Sequence, residues 1–211
     1  MPSEVTGEGN WYLLMDPQWM PTADETEPPV ASIMGLWPVD ENGELGRFRA
    51  NPDYEPSDPD APADPLDALF RMLIVRRAEP DQARLLLRDS EYEVALGPGG
   101  GPLIVPSPDE VDCLLVATSP AHRLDSPKVG SWRHVGIEQL TDLLPEGIDV
   151  LFNPGSPGSV RLVAAFVRSA RKPTEQQLTN ARTSLPTAAA EDLRMLGWQV
   201  GAGTDGKPTD E

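Results

Sequence analysis

Cysteine is nearly absent: Cys113 is the only one in 211 residues, so no internal disulfide can form. The first residues are acidic and lack the basic and apolar regions of a secretory signal. Together these make a reducing cytoplasm the expected location. Long apolar runs are missing too, and none approaches the roughly 20 residues needed to span a bilayer. Positive charge is scarce, with 17 Lys and Arg against 34 Asp and Glu and a net charge of −17. A DNA duplex carries about one negative charge per 1.7 Å of axis and would repel such a chain unless it held a basic face. No run of Lys and Arg suggests one, so nucleic acid and anionic membrane surfaces are excluded as partners. Only two histidines occur, His122 and His134, neither near a second ligand at metal spacing. No metal or cofactor is expected.

What is present is acid, proline and periodic apolar blocks. The acids are uneven: residues 1–64 hold most of the excess, and 65–172 is nearly neutral. Apolar residues make up 39%, while 18 Gly and 24 Pro fall mainly between the apolar blocks. That is a folded core punctuated by turns.

Trp11 to Met15 reads as a strand, with Trp19 covering a core edge. Val30 to Val39 and Glu44 to Phe48 flank Asn42-Gly43, a hairpin signal because both residues tolerate positive φ. A Pro- and Asp-rich strap follows from Asn51 to Ala63. Asp64-Pro65 reads as N-cap and first helical residue, and Leu66, Leu69, Phe70, Leu73 and Ile74 give one apolar helix face. Pro80 restarts a second helix carrying Ala83, Leu86 and Leu87.

From Tyr92 the period becomes two, and strands are predicted at Tyr92–Leu96, 103–105 and 111–117, the last central because it is nearly all apolar. A loop through His122 leads to Trp132 and His134. A helix over 137–144, a strand over 148–152 and a helix over 159–170 follow. Pro173 to Ser184 and Ala188 to Leu196 read as helical, before a polar end.

Three sets of residues are candidates for function. Trp is favoured at interface hot spots, and Trp11, Trp19, Trp37 and Trp132 are the candidates for partner binding, against the alternative of core packing. The link Asn153-Pro154-Gly155-Ser156-Pro157-Gly158-Ser159 joins a predicted strand to a predicted helix. Its backbone N–H groups at a helix start are an alternative anion site, with Asn153, Gly155, Ser156, Gly158 and Ser159 as the cradle. It lacks the Lys of a P-loop and a dinucleotide fingerprint, and reads as a connection before it reads as a site. Cys113 with His122 is a nominal nucleophilic pair, but the thiol lies inside an apolar run where it is inert. Asp149, an acid within an apolar strand, needs a partner or an exposed edge.

Several strings resemble those of actinomycete type VII secretion system-associated proteins. They are Trp11-Tyr12-Leu13 with Asp16-Pro17 and Trp19; Gly46-Arg47-Phe48 with Asn51-Pro52 and Tyr54-Glu55-Pro56; Asp64-Pro65-Leu66-Asp67-Ala68; Val116 through Arg123; and Trp132-Arg133. The run Leu144-Pro145-Glu146-Gly147-Ile148-Asp149-Val150-Leu151-Phe152-Asn153-Pro154-Gly155 is also similar to the amino-terminal domain of the SseB family. The resemblance covers roughly residues 10–170. It implies a cytoplasmic α+β domain encoded beside an export apparatus for WXG-type substrates, and it brings no catalytic residues. Gly35-Leu36-Trp37 is not a WXG motif, so the chain does not read as such a substrate.

The expectation is therefore a single α+β domain with a mixed or antiparallel sheet packed against several helices. Residues 1–9 are expected to be flexible, 10–172 to form the domain and 173–211 a helical or weakly structured tail. The expected role is non-enzymatic: a cytoplasmic accessory protein binding a component or substrate of type VII secretion.

Overall fold

The computed structural model describes residues 9–20, 22, 27–41, 46–188 and 194–200. The chain is α+β and divides into two compact units, residues 1–61 with 189–211 and residues 62–188.

The first unit begins with β1 (Gly9–Met15), the predicted strand extended by two residues. A short 3-10 turn leads into β2 (Ile33–Val39), antiparallel to β1 with Leu13 opposite Leu36. The predicted return strand over 44–48 is shifted: β3 is Arg49–Ala50, pairing with Gly35 and Leu36. Phe48 explains the shift. Its ring is used for packing, 4.5 Å from the Trp37 ring, in the space that Gly35 leaves by lacking a Cβ. Asn42-Gly43 lies outside the described residues. The strap that follows has no regular structure and is held by side chains. Asn51 donates to the carbonyls of Val30 and Ile33 at 2.8 and 2.7 Å, and buried Asp16 accepts from Ser57 N–H, Gln18 N–H and the Tyr54 hydroxyl.

The second unit opens with α1 (Pro65–Ile74), capped as predicted: the Asp64 carboxylate accepts from Asp67 N–H at 2.9 Å and Pro65 sits at the first helical position. Leu66, Leu69 and Phe70 face inward, but Ile74 is half exposed and Met72 is buried instead. Beyond Ile74 the helix is closed by Arg76 in the left-handed region (φ 60), with Arg77 N–H on Met72 O and Arg76 N–H on Leu73 O. α2 (Pro80–Asp89) restarts at Pro80, with Gln82 accepting from Glu79 N–H.

The sheet is built from β4 (Glu91–Leu96), β5 (Ile104–Pro106), β6 (Asp112–Ala117), β7 (Ser131–Gly136), β8 (Asp149–Phe152) and β9 (Val160–Leu162). Its order is β7-β4-β6-β8-β9, with β5 beside the first half of β6. β6 is central, as its apolar run predicts. It is antiparallel to β4 and parallel to β8, with Leu114 opposite Val150. α3 (Ile137–Leu143) lies on the crossover between the parallel pair, and α4 (Ala164–Arg171) and α5 (Glu175–Ala188) follow β9. Phe70, Tyr92 and Phe152 form the aromatic centre of this core, with ring centroids 5.1 and 5.9 Å from that of Phe152. The Tyr92 hydroxyl donates to Leu87 O.

Two elements of this sheet and its flanking helices differ from the sequence reading. The segment around Trp132 and His134, read as the end of a loop, is strand β7; it is an edge strand with only Val135 buried, so it carries no alternating apolar signal. The helix expected over 159–170 is strand β9 followed by α4. Val160 and Leu162 pair with Phe152 and Val150, and Val163, expected inward, is half exposed. Asp149 enforces the break. Its carboxylate accepts from Ala164 N–H at 2.9 Å, capping α4, and from Arg161 at 2.6 Å.

The chain then returns to the first unit as β10 (Arg194–Val200), antiparallel to β1, which completes the order β10-β1-β2-β3. Helix α5 agrees with the reading of 173–184. The helix expected to run through Leu196 is corrected here, since Met195 and Leu196 pair in a sheet with Leu14 and Leu13.

Candidate functional site

The four candidate tryptophans are not equivalent. Trp37 is 2% exposed and belongs to the core of the first unit, which removes it from partner binding. Trp11 and Trp19 in the first unit and Trp132 in the second are half-buried. Trp11 stands opposite Pro38 on β1, and Trp19 follows a turn closed by its N–H on Asp16 O at 3.1 Å. Next to Trp19 is Met20, 61% exposed; Val30, also 61% exposed, lies on the segment joined to that turn by Asp16 N–H on Ser32 O.

The loop 153–159 is a strand-to-strand hairpin, not the start of a helix. Asn153 and Gly155 take positive φ to turn β8 back into β9, and Ser159 leads into a strand. The next helix start along the chain, at Ala164, already has its N–H on Asp149. The geometry that suggested an anion cradle is therefore absent. Asn153 is buried and committed to the fold, accepting from Thr118 N–H at 2.9 Å and donating to Thr118 Oγ1 at 2.8 Å. Gly158 is pressed on the Asp67 carboxylate so closely that a Cβ would lie 2.0 Å from Oδ1.

These contacts lead to the densest polar cluster in the second unit. It joins three of the sequence strings noted above: the N-terminus of α1, the residues after β6 and the turn after β8. Because β6 and β8 are parallel neighbours, their C-terminal ends open on one edge, and α1 presents its cap there. Asp64 Oδ2 accepts from Thr118 Oγ1 at 2.6 Å. Asp67, fully buried, accepts from Ala63 N–H at 3.0 Å and from Arg71 at 2.8 Å. His122, on a 3-10 turn after β6, places Nε2 3.4 Å from Asp67 Oδ2 and 3.5 Å from Asp64 Oδ2, with its side chain 8% exposed. Neither contact has hydrogen-bond geometry. Among the described residues, six buried side-chain polar atoms lack a hydrogen-bond partner. Three of them, Ser119 Oγ, His122 Nε2 and Ser156 Oγ, belong to these segments.

The two carboxylates respond in opposite directions. Burial raises the Asp64 carboxyl above its ordinary value, against the smaller opposing effects of Thr118, Asp67 N–H and His122. Burial alone would raise Asp67 too, but the neighbouring imidazole, the Arg71 guanidinium and Ala63 N–H together hold it below the ordinary value. A proton can thus be held here, and the Cys113 thiol is remote from it. Burial raises the Cys113 thiol, whose Sγ faces Val111 O at the other end of β6. Thr118, which leads into the His122 turn, is five residues on, or about 16 Å along an extended strand. No group of three His, Cys, Asp or Glu among the described residues is arranged to hold a metal ion.

Sequence reasoning took Asp64 as a cap, set His122 aside and missed Asp67 and Thr118. Asp at both the cap and third helical position was the available signal: one carboxylate suffices for the cap, leaving the second to be explained. No family model matches the chain, and no curated protein or solved structure matches it.

Proposed function

We propose that the chain is a non-enzymatic cytoplasmic accessory protein that binds a protein partner, and that the partner is a component or substrate of a type VII secretion system. The observation that carries partner binding is the apolar surface of the first unit. Met20 and Val30 are each 61% exposed on two hydrogen-bonded segments, beside half-buried Trp19. Exposed large apolar side chains supply contacts for a partner. The acidic character of residues 1–64 favours a basic partner face and speeds encounter. The secretion assignment is supported by the ordered motif resemblance. No helix of the described residues is long and apolar enough to cross a membrane.

The test is recovery of partners by the tagged chain from its native cells, compared with a Met20→Asp, Val30→Asp double variant. Both side chains are exposed, so the variant keeps its fold. Secretion components or substrates should be recovered with the parent chain and lost with the variant, and capture should weaken as salt rises. Equal recovery by both chains would refute the surface, and capture of unrelated proteins alone would refute the secretion assignment.

A further inference from the structure

Asp64, Asp67 and Arg71 together carry one net negative charge in a nearly closed space, and His122 stands between the two carboxylates. A buried charge without compensation is costly, and one added proton brings the cluster to neutrality. His122 Nε2 lies within 3.5 Å of both carboxylates without a hydrogen bond, and Asp64 is the carboxylate placed to take that proton.

We propose that Asp64, His122 and Asp67 form a proton-operated lock on the segment 119–130, which joins β6 to β7. With one proton in the cluster, carried by Asp64, His122 spans a neutral and an ionised carboxyl, and the segment is held against the α1 N-terminus. When the proton leaves, two carboxylates face a single guanidinium, and the 3-10 turn that carries His122 loosens.

The other groups around the imidazole do not replace the proton. Thr118 and Ser119 from the end of β6 and Asn153 and Gly158 from the turn after β8 are neutral. Arg123, the next residue, is directed to Glu93, with Nε at 2.7 Å. The raised Asp64 carboxyl agrees with a folded state that binds an extra proton there. The sign follows: the lock contributes stability at lower pH and loses it as pH rises through the raised titration of Asp64.

The experiment is amide hydrogen exchange across a pH series, read as protection factors, with imidazole NMR on the same samples. With two histidines in the chain, exposed His134 beside exposed Glu91 is an internal reference. Protection over 119–130 should fall about tenfold per unit of pKa difference as pH rises, while β4 stays flat. His122→Gln should give the unprotected level at every pH. Asp64→Asn, which keeps a good N-cap, should hold the protected level with no step. A pH-independent parent chain, or a step that survives in Asp64→Asn, would overturn the lock. If His122→Gln does not fold, the parent chain and Asp64→Asn still decide it. None of these readings depends on a partner being found.

Discussion

Buried aspartates are used in opposite ways in the two units. Asp16 is fully buried in the first unit and surrounded by neutral donors: Gln18 N–H at 2.8 Å, Ser57 N–H at 3.0 Å and the Tyr54 hydroxyl at 3.3 Å. It pins the strap 51–61 to the end of β1. Asp64 and Asp67 instead share their surroundings with charged side chains and with polar atoms that have no partner. Oriented neutral dipoles fix a carboxylate as a structural anchor. Charged neighbours and unfilled hydrogen-bond positions leave a carboxylate responsive to protons. Burial alone does not distinguish an anchor from a switch; the partners do.

The largest test of this contrast is Asp16→Ala. It removes a charged acceptor from three donors and leaves buried N–H groups behind, so a loss of about 3–4 kcal/mol is expected. Urea unfolding measures the loss, and limited proteolysis should cut first within 51–61. If the strap resists cleavage in the variant, Asp16 is not its anchor.

How far these nodes can be read from sequence depends on the range of the contacts that make them. α1 and α2 are legible because Asp64-Pro65 and Pro80 act within one turn and Leu66, Leu69 and Phe70 repeat at helical spacing. β6 is legible because both its faces are buried. β7 and β9 are not, since Ser131–Gly136 is an edge with one buried residue and Val160–Leu162 is too short to show alternation. The hairpin at Asn153 is hidden for a related reason: a Gly-rich link looks the same before a strand as before a helix, and Asp149, eleven residues before Val160, decides which follows. The polar cluster itself joins Asp64, His122 and Asn153 only through the parallel pairing of β6 and β8. That pairing has no local signature.

A smaller effect is expected at Asp67. Its carboxyl is held below the ordinary value, so the folded chain releases that proton more readily than the unfolded one. The stability this contributes is present above the ordinary carboxylate range and is lost as pH falls through the lowered value. Asp67→Asn should cost about 2 kcal/mol at neutral pH and flatten the acid side of the stability profile. Asp64 works in the other direction, so the two arms belong to different residues three positions apart. An acid arm of unchanged steepness in the Asp67 variant would place its origin elsewhere.

The smallest effect is expected at the far end of α1. Arg76 occupies a left-handed position that closes the helix, where glycine carries no Cβ penalty. Its neighbours Ile74 and Val75 are exposed, so there is no packing to disturb. Arg76→Gly should raise stability by about 1 kcal/mol by thermal or urea unfolding, since the relief of backbone strain exceeds the loss of a positive charge at the helix C-terminus. α1 carries the proton-holding cluster at its other end, where Asp67 and Asp64 lie nine and twelve residues earlier. If the cluster acts locally, this variant shifts the whole stability profile upward without altering the protection step over 119–130. A step that moved with Arg76 would mean that the pH response reports the stability of the entire helix, and the contrast between anchor and switch would then reduce to one of overall stability.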